Sequence, residues 1–242
     1  MVKLKKKVKS GKGKLMSRKI SVAVISFLLV AVGMVFISGA QDEKKVELQV
    51  KLPKPLFIGT PTNMKGVNLD PVNKDKKRKA FMVPEGTELL SAKKTVTSSD
   101  SAPVVGSLDQ VTDGDKEGSD GSFVELGPGK QWVQIDLGAP ANIYAVIFWH
   151  YHSMARVYRD TIVQVADDPD FITNVRTIFN NDNDNTAGMG VGKEYEFVET
   201  SDGWLVDGKG EKARYVRIYS NGSTASEMNH YIEVEVFGKT AK

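Results

Sequence analysis

The chain has 242 residues, no cysteine and a formal net charge of +3. Without cysteine there is no disulfide, thiolate metal site, cysteine nucleophile or lipidated cysteine, and a chain this long buries enough surface to fold without covalent staples. The charge is unevenly split: residues 1–19 hold nine Lys and Arg and no acid, so the rest sums to −6. That argues against a nucleic-acid binder, which needs a basic face.

Residues 20–37 (ISVAVISFLLVAVGMVFI) form an uncharged apolar run behind the basic stretch. Ser38-Gly39-Ala40 then supplies the small residues a signal peptidase needs, so residues 1–40 are expected to be a signal peptide cleaved before Gln41. The alternative is an uncleaved membrane anchor, since the run is nearly long enough to span a bilayer. In both cases the basic end stays in the cytoplasm. Everything after Ala40 is then exported, to the periplasm, cell surface or extracellular space, and meets a membrane only through this segment. Residues 41–84 read as an extended arm or a linker. Residues 46–52 alternate like a strand, Pro53, Pro55 and Pro61 interrupt any long element, and KDKKRK at 74–79 is a solvated basic run.

From Glu85 to the end, residues 85–242 read as one all-β domain. A first strand is expected at 94–98. Residues 111–130 are a polar loop crowded with Asp, Ser and Gly, ending in the turn Gly127-Pro128-Gly129. Residues 131–137 alternate, with Val133, Ile135 and Leu137 on one face and Trp132, Gln134 and Asp136 on the other; Gly138 and Pro140 close the strand. Residues 143–150 (IYAVIFWH) are apolar on both faces, as in a strand buried between layers. Further strands are expected at 161–166, 175–179, 195–200, 214–220 and 230–237, with one helical turn at 167–172. Many short strands between Gly, Asn and Asp turns, with no helical period, argue an antiparallel β-sandwich.

The motif Thr112-Asp113-Gly114-Asp115, followed by Gln131-Trp132-Val133-Gln134-Ile135-Asp136-Leu137-Gly138 and closed by Tyr231-Ile232-Glu233-Val234-Glu235-Val236, resembles the discoidin family. These are the coagulation factor 5/8 type C domains of the galactose-binding-like superfamily. The resemblance covers about residues 85–238 and implies a jelly-roll β-sandwich that is not an enzyme and binds carbohydrate at one loop end. Calcium-binding members imply a structural Ca2+ held by the Gln110 carbonyl, Asp113, Asp115, a hydroxyl from Ser119 or Ser122, the Ile232 carbonyl and Glu233. Such hard oxygen donors suit that ion. One departure is Phe123, which stands where a Thr-x-Trp pair usually closes the loop.

Sugar-binding relatives place basic residues on the loop after the 143–150 strand. By position these fall on Arg156, the expected main contact, and beside His150. His152, Tyr151 and Tyr158 add aromatic surface, and the expected partner is a glycan or polysaccharide. Asn180–Asn185 (NNDNDN) fails the EF-hand spacing, because the positions for its invariant Gly and bidentate Glu hold Asn185 and Val191; a structured turn is expected. Two other functions remain open. The chain can be a cell-envelope adhesion module that binds protein. It can also be a metal-dependent hydrolase using His150, His152 and His230 as zinc ligands.

Overall fold

The computed structural model describes residues 43–56, 64–71 and 79–241. The leader, its cleavage site and most of the 74–79 basic run lie outside these residues. In chain order the strands are β1 (Lys45–Glu47), β2 (Met82–Pro84), β3 (Glu88–Leu89), β4 (Val96–Ser98), β5 (Val124–Leu126) and β6 (Gln131–His150). They continue as β7 (Ile162–Ala166), β8 (Arg176–Asn180), β9 (Trp204–Ser220) and β10 (Asn229–Thr240). One 3-10 helix (Leu108–Thr112) precedes β5. Eight strands form an antiparallel sheet in the order β3-β10-β6-β9-β7-β8, with β4 added beside β6 and β5 beside β10. The all-β antiparallel architecture that the resemblance implies is the one observed.

Period-two burial explains which side chains form the core. Val133, Ile135 and Leu137 from the first half of β6 join Ile143, Val146 and Phe148 from its second half in one apolar cluster. Val163, Val165, Phe179, Val216, Ile218, Val234 and Val236 complete it from β7, β8, β9 and β10. Each such side chain contributes about 1.5–3 kcal/mol by leaving water. The sheet therefore closes over both halves of its long strands, as in a sandwich.

Three expectations need correction. The 131–137 strand does not end at Gly138. β6 continues to His150 through an irregularity in which pairing with β9 jumps from Asp136↔Tyr215 to Ala141↔Ala213. Gly138 sits there at φ +84, a conformation that costs glycine little. Residues 195–200 alternate in hydrophobicity but form no strand; their ladder is a single bridge between Leu69 and Glu196. Phe197 is buried by stacking on Trp204, centroids 3.9 Å apart, rather than by strand pairing. The helical turn expected at 167–172 is instead a turn in which Asp168 accepts the N–H groups of Asp170 and Ile172.

The outer face of β6 and β10 is also apolar, with Ala145, Ile147, Trp149, Ile232 and Phe237 forming a second cluster. Leu48, Val50 and Phe81 pack over it, beside Phe123 and Leu205. Residues 43–50 and 81–84 thus lie along the sheet, held by the β1–β2 pairing and by Leu48 N–H donating to the Phe81 carbonyl at 2.8 Å. Further along, Asn68 and Asp70 exchange backbone hydrogen bonds with Glu196.

Candidate functional site

Two neighbouring loops carry most of the residues that the sequence singled out. The first begins at the 3-10 helix. Gln110 closes that helix by accepting the Ser107 N–H through Oε1 at 2.8 Å, while its Nε2 donates to the Gly121 carbonyl at 2.5 Å. The helix is therefore tied to the far side of the loop. Gly114, at φ +92, turns its N–H onto Glu233 Oε2 at 3.1 Å. Asp113 Oδ1 accepts the Asp115 N–H at 2.7 Å, and Asp115 Oδ2 accepts the Ser122 hydroxyl at 2.9 Å. Ser119 and Ser122 share a hydrogen bond at 3.1 Å.

Glu233 is buried, and its carboxyl is pushed up to about 8. Burial is the main cause; the nearby Glu235 and Asp113 charges add to it, and the Gly114 N–H and Lys116 oppose it. Ile232 falls in a register shift of β10 between Tyr231 and Glu233, where no ladder partner is assigned to it. A bulge of this kind re-aims side chains and leaves a backbone group unpaired. Asp113 is brought close enough to Glu233 for its charge to act on that carboxyl. Asp115 and Ser122 lie together in the same loop, joined by their own hydrogen bond. Among the described residues, the group of three carboxylates with oxygens within 4.8 Å is a different one: Asp160, Asp182 and Asp184.

That group lies at the NNDNDN turn. Asn180 Oδ1 accepts the Asp182 N–H, and Asp182 accepts the Thr186 and Ala187 N–H groups, so the segment is the structured turn expected of it. Burial, and then the Asp160 charge, raise the Asp182 carboxyl. Asp160 is remote in sequence, so spacing could not reveal this cluster.

The second loop follows β6. His150, His152, Arg156 and Tyr158, expected on a binding surface, are each at most 4% exposed and form a floor beneath it. His150 Nδ1 lies 2.7 Å from Glu199 Oε1, and its ring stacks on Tyr158 with centroids 4.2 Å apart. Burial raises the Tyr158 hydroxyl far above its ordinary value, so it stays protonated. It donates to His230 Nδ1 at 2.9 Å, and His230 Nε2–H then donates to Glu125 Oε2 at 2.8 Å. Burial also lowers the His230 pKa, which keeps that neutral tautomer. His152 Nε2–H donates to the Lys116 carbonyl at 2.9 Å. His150 and His230 thus share Tyr158 while His152 bonds elsewhere, and the three do not form a three-ligand metal group.

Above this floor lies the half-buried Tyr151 ring. The Arg156 guanidinium covers one of its faces at 4.4 Å, and Phe123 and His230 flank it at 5.2 and 5.8 Å. Phe123, noted in the sequence as a departure, is therefore part of the aromatic group. Met154 is 57% exposed on the same loop. Several interior atoms have no hydrogen-bond partner: His150 Nε2, Glu199 Oε2 and Arg156 Nε.

No protein-family profile matches the chain, and no curated protein matches it. Among solved structures, the chain is similar to a family 89 glycoside hydrolase from Clostridium perfringens, at 19% identity and TM-score 0.48, over 63% of this chain and 15% of that one. It is similar to the CBM32 of AlyQ, crystallised with 4,5-unsaturated mannuronic acid, at 17% identity and TM-score 0.43, over 59% and 93%. It is also similar to a Streptococcus pneumoniae fucose binding module, at 18% identity and TM-score 0.44, over 64% and 99%. The chain thus spans about one seventh of the hydrolase's length.

Proposed function

We propose that this chain carries a non-catalytic carbohydrate-binding module whose ligand docks at the loop end around Tyr151. The supporting observation is the Tyr151 ring itself: partly exposed, with a buried guanidinium on one face and two aromatic rings at its sides. A ring held this way offers an apolar face to sugar C–H groups, and the buried polar floor holds it in place. Arg156 acts mainly by backing Tyr151, because burial keeps most of it from direct contact. A structural Ca2+ bound by Asp113 and Glu233, with the Gln110 and Ile232 carbonyls, belongs to the same proposal. The ion would supply charge compensation for the buried Glu233 carboxylate. The leader supports export, since a basic stretch and an apolar run precede small residues at 38–40.

A glycan array probed with the full chain, with and without EDTA, tests the proposal. Binding that is lost in Tyr151→Ala, while the melting temperature holds, is the expected result. A blank array overturns it. The second reading is a surface that binds an envelope protein. A blank array together with a specific envelope protein recovered by pull-down is the outcome that reading expects.

A further inference from the structure

The loop that holds Asp113 and the loop that holds Tyr151 are stitched together at two points. We propose that Lys116 and Gly118 are positioning residues for the ligand loop, seating Tyr151 without touching a ligand. The functional meaning of this rests on the carbohydrate reading above.

Lys116 is fixed from below. Its ammonium bonds Glu235 of β10 and lies 5.0 Å from the Trp149 ring of β6, with both members of the ion pair buried. Its backbone is therefore referenced to two rigid strands. From that fixed point its carbonyl accepts the His152 Nε2–H at 2.9 Å, and His152 is itself buried. Two residues on, the Gly118 carbonyl accepts the Ser153 hydroxyl. A Cβ at position 118 would lie 2.8 Å from Ser153 Oγ and 3.0 Å from His152 Cε1. Gly118 has no left-handed φ, so the backbone itself would accept another residue. A side chain there must therefore displace Ser153 and crowd His152.

Tyr151 sits between these anchors. On one side His150 is held by Glu199 and stacked on Tyr158. On the other, His152 and Ser153 are held by the 116–118 segment. With both chain neighbours fixed, the Tyr151 backbone is set where its ring packs against Arg156 and Phe123. A methyl group at position 118 pushes His152 and Ser153 away and releases that ring, leaving the inner core untouched.

The test compares Gly118→Ala, Ser153→Ala and the double variant with the parent chain. Hydrogen exchange of residues 150–156 is read first, since it needs no ligand. In Gly118→Ala this segment should exchange roughly tenfold faster or more, the worth of about one lost hydrogen bond. β7 and β9 should be unchanged. Ser153→Ala removes one stitch without a clash, so it should move the same segment by less, and it serves where Gly118→Ala fails to fold. Adding Ser153→Ala to Gly118→Ala removes the closest clashing atom and should recover part of the protection, a rescue that general destabilisation would not give. Affinity for a glycan found on the array should fall in the same order as the exchange. Unchanged exchange at 150–156 in folded Gly118→Ala overturns the positioning role. If the parent binds no glycan, the carbohydrate reading fails, and the exchange data still decide whether these residues seat the loop.

Discussion

The buried Lys116–Glu235 pair gives the sharpest stability test. Its side chains are 9% and 7% exposed, and Glu235 Oε2 has no hydrogen-bond partner, so the lysine carries much of the compensation. Replacing Lys116 with Met removes the positive charge and keeps the stem over Trp149. Glu235 is then left buried beside Glu233, a second carboxylate on the same strand. Breaking a buried pair from one side costs about 3–5 kcal/mol. For a folded unit of about this size, each kcal/mol lowers the melting temperature by about 2–4 °C, so the expected drop is about 6–20 °C. Replacing both, as Lys116→Met with Glu235→Leu, removes the stranded charge and should recover most of the loss. The double-mutant cycle, measured by denaturant unfolding in EDTA at neutral pH, should therefore show strong coupling. If each single variant costs less than about 1 kcal/mol, the pair behaves like an exposed one and the burial argument is wrong.

Ca2+ should raise the melting temperature over EDTA, by an amount equivalent to about 2.7 kcal/mol at a hundredfold excess over Kd, and more than Mg2+ does. Asp113→Ala should abolish the shift, and superimposable melting curves in EDTA and Ca2+ would refute the site. Asp136 is held below the usual carboxylate range by hydrogen bonds from Arg214, with the Gly138 N–H adding to them. Because the folded pKa is depressed, its stabilisation is present above the unfolded value of 3.8 and is lost as pH falls through the folded value. Asp136→Asn should flatten that acid limb and cost about 0–1 kcal/mol at neutral pH, since the pair is partly exposed; an unchanged acid limb in melting curves counts against it. Deleting residues 43–84 should uncover Trp149, Ile147 and Phe237 and give strong binding of an apolar dye; a shortened domain that melts like the parent and leaves the dye dark would refute the covering role.

Alternation made much of the sandwich readable. Residues 131–137 and 230–237 reveal their inward faces directly, because a strand buried on one side must alternate. The same signal misled at 195–200, where Phe197 is buried by stacking on Trp204 and no ladder forms. Alternation reports burial, and burial does not require a strand. The continuation of β6 through Gly138 and Pro140 was hidden for the opposite reason: an irregularity keeps the strand going through residues that usually end one. At the candidate site, the resemblance pointed to the loop after the 143–150 strand but could not show which of its side chains face outward. One local clue was available: His150 ends a run apolar on both faces, which already argues for burial. The pairing of Lys116 with Glu235, and of Asp160 with Asp182 and Asp184, joins distant segments and leaves no local trace.

The meeting of Glu43 with Lys239 has a consequence for the far end of the sheet. Ala241 N–H also donates to the Pro140 carbonyl, so the chain enters and leaves the described structure at one end of β6 and β10. Pairing along these strands runs from Lys239↔Asn142 to Tyr231↔His150. At about 3.3 Å per residue, the Tyr151 loop stands about 26 Å from that point. The Glu43–Lys239 pair and the Tyr151 loop therefore lie at opposite ends of the same two strands, so a substitution at one end leaves the contacts of the other in place.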